Sequence, residues 1–320
     1  MALPAVTIVI PNFNGDAIIG ESLKATLQAT AAYSGSSEII VVDDASTDHS
    51  TEVISDMDAD IRIVQHRVNR GFGEAVHSGV AAASHERIVL LNSDVHPRPN
   101  FLLPLLTAID DNSVFAATPL ILDVHGEPLF VSWARYRLVH GKLRSCRWTL
   151  EQVYERLSTG RALQSLYASG GSIAFRKTRF EALNGFLSIY KPFYSEDLDL
   201  CTRAWMRGWS TVLIPTSQVV HDNNGTINRL FSRRRVRVIR LRNRLIYLCL
   251  HANATKLVVF YLPRNLWWGL IRLLRLDTTM MSALLRILKC SPAILRMRRE
   301  LRQDSVLPAL EQVLDRVNAD

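Results

Sequence analysis

Short apolar runs alternate with helix-like segments through the first third of the chain. The predicted strands, rich in Val, Ile and Leu, cover residues 6–10, 38–42, 62–65 and 87–91. Helices are predicted at residues 18–32, 51–57, 71–83 and 101–110. Further strands are predicted at residues 173–176 and 211–214, with a helix at 197–207 between them. Because strands that alternate with helices form parallel sheets, the pattern predicts an α/β fold with a doubly wound, mostly parallel sheet.

Three of the first four strands run directly into Asn or Asp. The first leads into Pro11-Asn12-Phe13-Asn14, the second into Asp43-Asp44, and the fourth into Asn92-Ser93-Asp94. Ligands of open α/β sheets bind beyond the carboxyl ends of the strands, so these residues are expected at one ligand-binding edge. The alternative is local: an Asp after a strand often shapes a turn, and Ser46 or Asp48 could cap the next helix.

Asp94 is a candidate metal ligand. Mg²⁺ and Mn²⁺ take oxygen ligands, usually keep diphosphate oxygens as partners, and need only one or two carboxylates from the protein. The alternative is that Asp94 only caps the turn before Pro97. His221 follows an apolar segment by itself, so it is either a structural histidine or a second metal ligand.

A second group of polar residues lies between positions 169 and 200. Ser169-Gly170-Gly171 predicts a flexible loop, and Glu196, Asp197 and Asp199 come at the start of the predicted helix. Acidic residues are favoured at a helix N-terminus, which would explain one of them. Three carboxylates in four residues are more than a helix N-terminus needs. Because like charges close together raise the pKa of one of these carboxyl groups, the group is suited to act as a general base near neutral pH.

Composition excludes several classes of protein. With 48% hydrophobic and 21% charged residues the chain is typical of a globular protein and unlike a disordered one. The segment Gly71–Ala75 lacks the spacing of a dinucleotide fingerprint, and there is no P-loop motif. The four cysteines are far apart in the sequence, so they do not suggest a disulfide framework or a zinc site. This use of cysteine is typical of a protein in a reducing compartment. The start of the chain has no basic segment, and no signal peptide is predicted.

The net charge of +8 is distributed unevenly along the chain. Residues 229–320 hold 19 Lys and Arg against 6 Asp and Glu, or +13, whereas residues 1–228 hold 19 against 24, or −5. The apolar run around Trp267 is interrupted by Pro263-Arg264-Asn265 and falls short of the 20 or so residues of a membrane span. Basic amphipathic helices on an anionic membrane are predicted, with a helical subdomain that packs on the core as the alternative.

Taken in order, seven blocks of this sequence resemble family 2 inverting glycosyltransferases of the GT-A fold. These blocks are residues 6–15, 38–48, 69–75, 90–95, 169–175, 195–200 and 209–221. The resemblance covers roughly residues 5–225 and is greatest to bacterial enzymes that build cell-surface polysaccharides, among them rhamnosyltransferases. It implies single displacement of a sugar from a UDP- or dTDP-sugar donor to a saccharide or lipid-linked acceptor.

The resemblance also implies a role for individual residues. Asp197 becomes the catalytic base with Glu196 beside it, and Asp94 and His221 become the ligands of Mn²⁺ or Mg²⁺. Ser169, Gly170 and Gly171 would contact the donor sugar or the acceptor. The implied nucleotide-binding residues are Pro11, Asn12, Asn14, Asp43, Asp44, Asn69, Gly71, Gly73, Asn92 and Ser93. Asn92 departs from the usual Asp-x-Asp pattern, which removes one negative charge from the metal site.

Two parts of the chain are therefore expected: a GT-A domain at 1–228 and a basic amphipathic helical tail at 229–320. The tail suggests a peripheral protein on the cytoplasmic face of the membrane. Two rivals remain open: a nucleic-acid-binding protein that uses the basic tail, and a non-catalytic relative that binds sugar nucleotides. Since a nucleic-acid binder would not need three polar strand ends at one edge, no nucleic-acid partner is expected.

Overall fold

A computed structural model describes residues 3–57, 60–222, 231–302 and 307–319. Its strands are β1 (Val6–Asn12), β2 (Ser37–Asp43), β3 (Ile61–Gln65), β4 (Arg87–Leu91), β5 (Val95–Pro97), β6 (Val114–Leu122), β7 (Tyr136–Val139), β8 (Lys142–Ser145), β9 (Gln164–Ser165), β10 (Ser172–Arg176) and β11 (Ser210–His221). Its helices are α1 (Asp16–Ala31), α2 (Ser50–Ser55), α3 (Phe72–Ala82), α4 (Leu102–Asp110), α5 (Leu150–Ser158), α6 (Lys177–Ala182), α7 (Glu196–Met206), α8 (Arg233–His251), α9 (Leu262–Leu274), α10 (Thr279–Leu301) and α11 (Leu310–Asn318). A π-helical turn, Leu257–Tyr261, precedes α9.

The main sheet has the strand order β3-β2-β1-β4-β10-β6-β11-β5, with β9 paired to β11. β3, β2, β1 and β4 are parallel neighbours, which confirms the predicted doubly wound, mostly parallel α/β architecture. β10 is antiparallel to both β4 and β6, and Ser172 pairs with Leu91. The beginning of β10 therefore lies beside the end of β4, which brings the loop before Ser172 next to the residues that follow Leu91.

β11 is longer than the sequence indicates. A strand was expected only at residues 211–214, followed by a loop, but β11 continues to His221 after a register shift between Ile214 and Gln218. Pro215 lies in this interval and has no N–H to donate, which explains why the strand pattern breaks there. Beyond the shift, His221 pairs with Val95 of β5, so His221 is brought beside Asp94.

Side chains of the buried strands alternate between two apolar layers. In β1, Ile8 and Ile10 belong to the layer that contains Ile19 of α1, whereas Val9 belongs to the layer that contains Val76 of α3. This alternation follows from the period of two residues in a strand. Helices on both faces bury the central strands, whereas the edge strand β3 stays partly exposed, and the strand ends are left for ligands.

The predicted basic, leucine-rich helices after residue 233 are present as α8 to α11, and they pack against the α/β part. A shared apolar cluster contains Trp205 and Met206 of α7, Ile246 of α8, Met280 of α10 and Val313 of α11. The inner faces of these helices thus pack on the α/β part, as in the alternative of a helical subdomain. None of the described helices is long and apolar enough to cross a membrane. The expected boundary at residue 228 lies outside the described residues.

Asp199 of α7 joins the α/β part to α8 through buried polar contacts. Its Oδ1 atom accepts hydrogen bonds from the Tyr190 hydroxyl at 2.9 Å and from Nε2 of His251 at 2.7 Å, and Oδ2 accepts one from Nε of Arg203 at 2.7 Å. Asp199 and His251 are fully buried, and Arg203 nearly so. Burial alone would raise the pKa of Asp199, but the charge of Arg203 and the hydrogen bond from His251 outweigh it and lower this pKa to about 2.

We expect the substitution Asp199→Asn to lower the free energy of unfolding by about 3–5 kcal/mol, because Arg203 would keep a buried charge without a counterion. Urea unfolding at neutral pH measures the loss. Asp315→Asn, at an exposed position of α11, is the matched control and should change stability by less than about 0.5 kcal/mol. Equal stability of the two variants would contradict this role of Asp199.

Candidate active site

The carboxyl ends of β1 and β2 are tied together by buried polar side chains. Nδ2 of Asn12 donates to Oδ1 of Asp43 at 3.1 Å and lies 3.3 Å from Oγ of Ser46. The backbone N–H of Ser46 donates to Oδ2 of Asp43 at 3.1 Å. Asp43 is fully buried, so here its hydrogen bonds shape the turn, as the local alternative supposed. Pro11 is buried within β1 next to this turn.

Asn14 closes the same edge of the site. Its φ of 50° lies in the left-handed region, and Oδ1 accepts a hydrogen bond from the backbone N–H of Thr47 at 2.8 Å. The backbone N–H of Asn14 donates to Oγ of Ser46 at 2.9 Å. The loops after β1 and β2 are therefore fixed to one another before any ligand binds.

Asp44 positions the segment that precedes α3. Its carboxylate accepts hydrogen bonds from the backbone N–H groups of Arg70 at 2.8 Å and Gly71 at 2.7 Å, and from Nδ1 of His66 at 2.6 Å. Gly71 has a φ of 89°, which favours glycine. Asn69 is exposed beside this turn, and Gly73 lies in the first turn of α3. The segment expected near the nucleotide thus lies at a helix N-terminus, where anions are favoured.

Asp94 and His221 form a pair at the junction of β5 and β11. Nε2 of His221 lies 3.2 Å from Oδ2 of Asp94, and the buried Oδ1 of Asp94 has no hydrogen-bond partner among the described residues. An imidazole and a carboxylate with a free oxygen suit a divalent cation. The described residues include no group of three or more His, Cys, Asp and Glu that could hold a metal. A cation here would therefore need oxygens from a ligand.

The loop Ser169–Gly171 connects this pair to the two carboxylates of α7. The carbonyl oxygen of Gly171 accepts a hydrogen bond from the backbone N–H of Asn92 at 2.9 Å, and the backbone N–H of Gly170 donates to Oδ2 of Asp197 at 3.1 Å. A Cβ atom on Gly171 would come within 3.1 Å of Nδ2 of Asn92. The structure therefore brings Asn92, the glycine loop and Asp197 together, as expected from the sequence. Ser93 is buried beside Asn92.

The turn before α7 is held by α8, and sequence reasoning missed this contact. Tyr194 and Ser195 both have φ values of 76°, although neither is glycine. Nδ2 of the buried Asn243 lies 2.7 Å from the carbonyl oxygens of Tyr190 and Tyr194, and 2.9 Å from that of Phe193. The one sequence signal was an asparagine within a helix of arginines and leucines.

Glu196 and Asp197 are electrostatically coupled in a crowded, half-buried position. Desolvation and the charge of Asp197 raise the pKa of Glu196 to about 8. Desolvation also raises the pKa of Asp197, but hydrogen bonds from the N–H groups of Gly170 and Leu198 counteract part of the rise. Oε2 of Glu196 is buried without a partner among the described residues. The pair therefore holds a proton more tightly than free carboxyl groups do, and the hydrogen bonds from Gly170 and Leu198 favour the ionised form of Asp197.

The sequence of residues 7–183 matches the family model for glycosyl transferase family 2, which is more than half of the chain. The chain belongs to this family. The glycosyltransferase is 25% identical over 211 residues to the N-acetylglucosaminyl-diphospho-decaprenol L-rhamnosyltransferase of Mycobacterium tuberculosis, covering 60% of this chain and 68% of the relative. It is 29% identical over 110 residues to the undecaprenyl-phosphate 4-deoxy-4-formamido-L-arabinose transferase of Salmonella choleraesuis, covering 33% and 34% of the two chains.

Solved structures show the same fold. A mannosyltransferase from Pyrobaculum calidifontis, in complex with GDP-Man and Mn²⁺, superposes with a TM-score of 0.54 and 17% identity over 99% of this glycosyltransferase and 86% of that chain. GalNAc-T7 with UDP, GalNAc and Mn²⁺ gives a TM-score of 0.58 and 17% identity over 79% and 49% of the two chains. The expected family and the GT-A fold are both confirmed.

We expect Glu196→Gln to make the glycosyltransferase more stable relative to wild type as pH rises from 5 to 9. The pKa of Glu196 is about 8 in the folded protein and has the ordinary value of 4.5 in the unfolded chain. Between these values the unfolded chain releases the proton and the folded protein keeps it, so the stability of wild type falls as pH rises. Urea midpoints of both proteins at several pH values measure the difference. A difference that does not change with pH would show that Glu196 titrates normally.

Proposed function

We propose that this glycosyltransferase moves a sugar from a nucleotide-sugar donor to a hydroxyl of a lipid-linked saccharide, with inversion at the anomeric carbon and dependence on a divalent cation. The observation that carries the proposal is the link through Ser169–Gly171. Gly171 of this loop contacts Asn92, two residues from Asp94 of the Asp94–His221 pair, and the neighbouring Gly170 contacts Asp197. The candidate cation ligands and the carboxylate of Asp197 are thus both connected to one loop.

Asp197 acts as the general base in this proposal. Its raised pKa and its fixed position both suit removal of a proton from an acceptor hydroxyl near neutral pH. The hydroxyl oxygen forms a bond to the anomeric carbon as the bond to the leaving diphosphate oxygen breaks. One displacement inverts the configuration, and no covalent enzyme intermediate is needed. Protonated Glu196 keeps a second negative charge away from the attacking oxygen.

The donor would bind along the carboxyl edge of β1, β2 and β4. Pro11, Asn12, Asn14, Asp43 and Asp44 would line the base and ribose part. Asn69, Gly71, Gly73, Asn92 and Ser93 would lie along the nucleotide and diphosphate. A Mn²⁺ or Mg²⁺ ion held by Asp94 and His221 would neutralise the leaving nucleoside diphosphate. Ser169, Gly170 and Gly171 would then lie between donor sugar and acceptor.

The names of the relatives bear on the substrates. The mycobacterial relative is a rhamnosyltransferase for an N-acetylglucosaminyl-diphospho-decaprenol, and the Salmonella relative is named for an undecaprenyl phosphate. Both acceptor names combine a polyprenyl chain with phosphate. We therefore favour a lipid-linked acceptor, with a UDP- or dTDP-sugar as donor and hexosyl or rhamnosyl transfer in cell-surface polysaccharide synthesis.

A peripheral position on the cytoplasmic membrane face fits the outer surface of the C-terminal helices. Trp267 and Leu274 of α9 are 62% and 85% exposed, and Phe260 just before it is 61% exposed. Exposed aromatic and leucine side chains next to basic residues favour an anionic membrane surface. Failure of the chain to float with anionic vesicles would contradict this part of the proposal.

The basic part of α8 gives little support to a nucleic-acid-binding function. Arg240 donates to the Tyr194 hydroxyl at 2.8 Å, Arg242 donates to the carbonyl oxygen of Lys191, and Arg237 pairs with Asp277 at 3.4 Å. These side chains hold other parts of the protein. The crowded Glu196–Asp197 pair and the Asp94–His221 pair favour an enzyme over a non-catalytic relative.

We expect Asp197→Asn to lower the rate of sugar transfer about 10²–10⁴-fold, because the acceptor hydroxyl would lose its general base. The measurement is transfer from a panel of UDP- and dTDP-sugars to a lipid-linked acceptor. Asp315→Asn removes the same charge at an exposed position and should leave the rate unchanged. Transfer by Asp197→Asn within a few-fold of wild type would exclude Asp197 as the base.

Removal of the cation ligands should weaken nucleotide binding only when the cation is present. We expect Asp94→Asn to lower the affinity for UDP or dTDP about tenfold or more in Mn²⁺, and little in EDTA, since a charged contact contributes about 1.5–3 kcal/mol. His221→Ala should act in the same direction with a smaller effect, and the exposed His125→Ala serves as its control. Titration calorimetry measures each affinity. Full transfer activity after exhaustive chelation would remove the cation from the proposal.

A further inference from the structure

A cavity of about 130 Å³ lies between the β7–β8 hairpin and the C-terminal helices α8, α9 and α10. The residues that give it chemical character are Lys142 of β8, Arg244 of α8, and Asn265, Trp268 and Arg272 of α9. Its walls thus combine three cationic side chains with an indole ring. No residue implied by the family resemblance belongs to it.

Two of the three cations of this cavity, Lys142 and Arg244, have no anionic partner among the described residues, whereas Arg272 forms an ion pair with Asp277. Within the described part of the chain, Arg244 has no hydrogen bond or ion pair. Nη1 of Arg272 is buried without a hydrogen bond, and its nearest carboxylate oxygen, on Asp277, is 3.6 Å away. Nζ of Lys142 lies 3.9 Å from the ring centroid of Trp268. Burial and then the positive charge of Arg264 lower the pKa of Lys142. So many like charges close together favour the binding of an anion.

An exposed apolar stripe runs along α9 beside the cavity. Arg264, Trp268 and Arg272 are four residues apart, so they follow one line of the helix. The neighbouring line is apolar and solvent-exposed: Leu266 is 52%, Trp267 62%, Leu270 49%, Leu273 41% and Leu274 85% exposed. The stripe begins in the preceding π-helical turn, where Val259 and Phe260 are also exposed. Anion-binding groups and an apolar surface are therefore adjacent on a single helix.

Tyr136 of β7 links the hairpin to the segment before the glycine loop. Its hydroxyl lies 3.5 Å from that of Tyr167, two residues before Ser169. The hairpin is pressed against the C-terminal helices, since a Cβ atom on Gly141 would come within 2.9 Å of Tyr261. The cavity and the glycine loop therefore both adjoin elements that contact the β7–β8 hairpin.

We propose that this cavity binds the phosphate or diphosphate of a lipid-linked acceptor through Lys142, Arg244 and Arg272, while the hydrocarbon chain of the acceptor lies along the apolar stripe of α9 in the membrane interface. The occupant follows from charge complementarity and from the adjacent stripe, because an anionic head joined to a long apolar chain matches both surfaces. A free phosphate would contact the cavity and leave the apolar stripe unused, whereas a protein partner could cover the stripe without filling the cavity. The inference rests on the proposed function for its acceptor class.

The test is binding of farnesyl diphosphate and of inorganic pyrophosphate to the full chain by titration calorimetry, without donor and without catalysis. We expect wild type to bind farnesyl diphosphate at least tenfold more tightly than pyrophosphate. The double variant Arg244→Gln/Arg272→Gln should bind farnesyl diphosphate at least tenfold more weakly. Arg296→Gln/Arg299→Gln removes two exposed charges elsewhere, on α10, and should stay within twofold of wild type.

A second pair of changes tests the apolar stripe without disturbing the core. Trp267→Ser/Leu270→Ser should weaken farnesyl diphosphate binding and leave pyrophosphate binding unchanged, because both side chains are exposed. Should the arginine double variant fail to fold, Arg244→Gln alone serves, since that side chain is exposed. Unchanged binding by the arginine variants, equal affinity for the two probes, or no binding by wild type would each overturn the inference. Failure of the proposed function would instead be seen as absence of donor-dependent transfer with cavity binding intact.

Discussion

The packing of the C-terminal helices on the α/β part depends on the buried hydrogen bonds and ion pair of Asp199. Asp199 comes two residues after Asp197 on α7, and its partners lie on three different parts of the chain: Tyr190 before α7, Arg203 within it, and His251 at the end of α8. A buried charge is tolerated only when it is paired and hydrogen-bonded, so these elements cannot separate without a large cost. The position of the proposed base is thereby linked to the C-terminal helices.

His251 makes this link sensitive to acid. Burial lowers the pKa of His251, although its hydrogen bond to Asp199 opposes the change. Because the unfolded chain takes up a proton on this histidine below pH 6.5 and the folded chain resists it, stability decreases as pH falls through that range. The depressed pKa of Asp199 acts in the same direction at lower pH, down to about 2. The two groups together favour the folded state at neutral pH.

Local patterns were enough to predict the first half of the sheet and the edge where the candidate residues meet. β1 to β4 were predicted within about two residues of their bounds, because each is a short apolar run between polar turns. β6 was not predicted, since its apolar run contains Pro119 and lies in a region of mixed pattern. The second half of β11 was also missed, because its pairing with β5 depends on a partner more than a hundred residues away.

The distribution of charge shows the same limit. The composition of residues 229–320 indicated a basic surface, but it could not say which arginines would face inward. Arg240 and Arg242 contact the turn before α7, whereas Arg244, one helical turn from Arg240, faces the cavity. The contact of Asn243 with three carbonyl oxygens was equally hidden, because such long-range pairing leaves no periodic trace in the sequence.

The backbone at Tyr194 and Ser195 shows how far the site depends on the C-terminal helices. A left-handed conformation costs a non-glycine residue roughly 1–2 kcal/mol, and two such residues come in succession here. Among the described residues, the amide of Asn243 lies within hydrogen-bonding distance of three carbonyl oxygens at this turn, and both α8 and the turn come after the residues that match the family model. The position of the proposed base is therefore set in part by the C-terminal helices and not by the nucleotide-binding half alone. Relatives with a different C-terminal region would need another device to keep the same carboxylate in place.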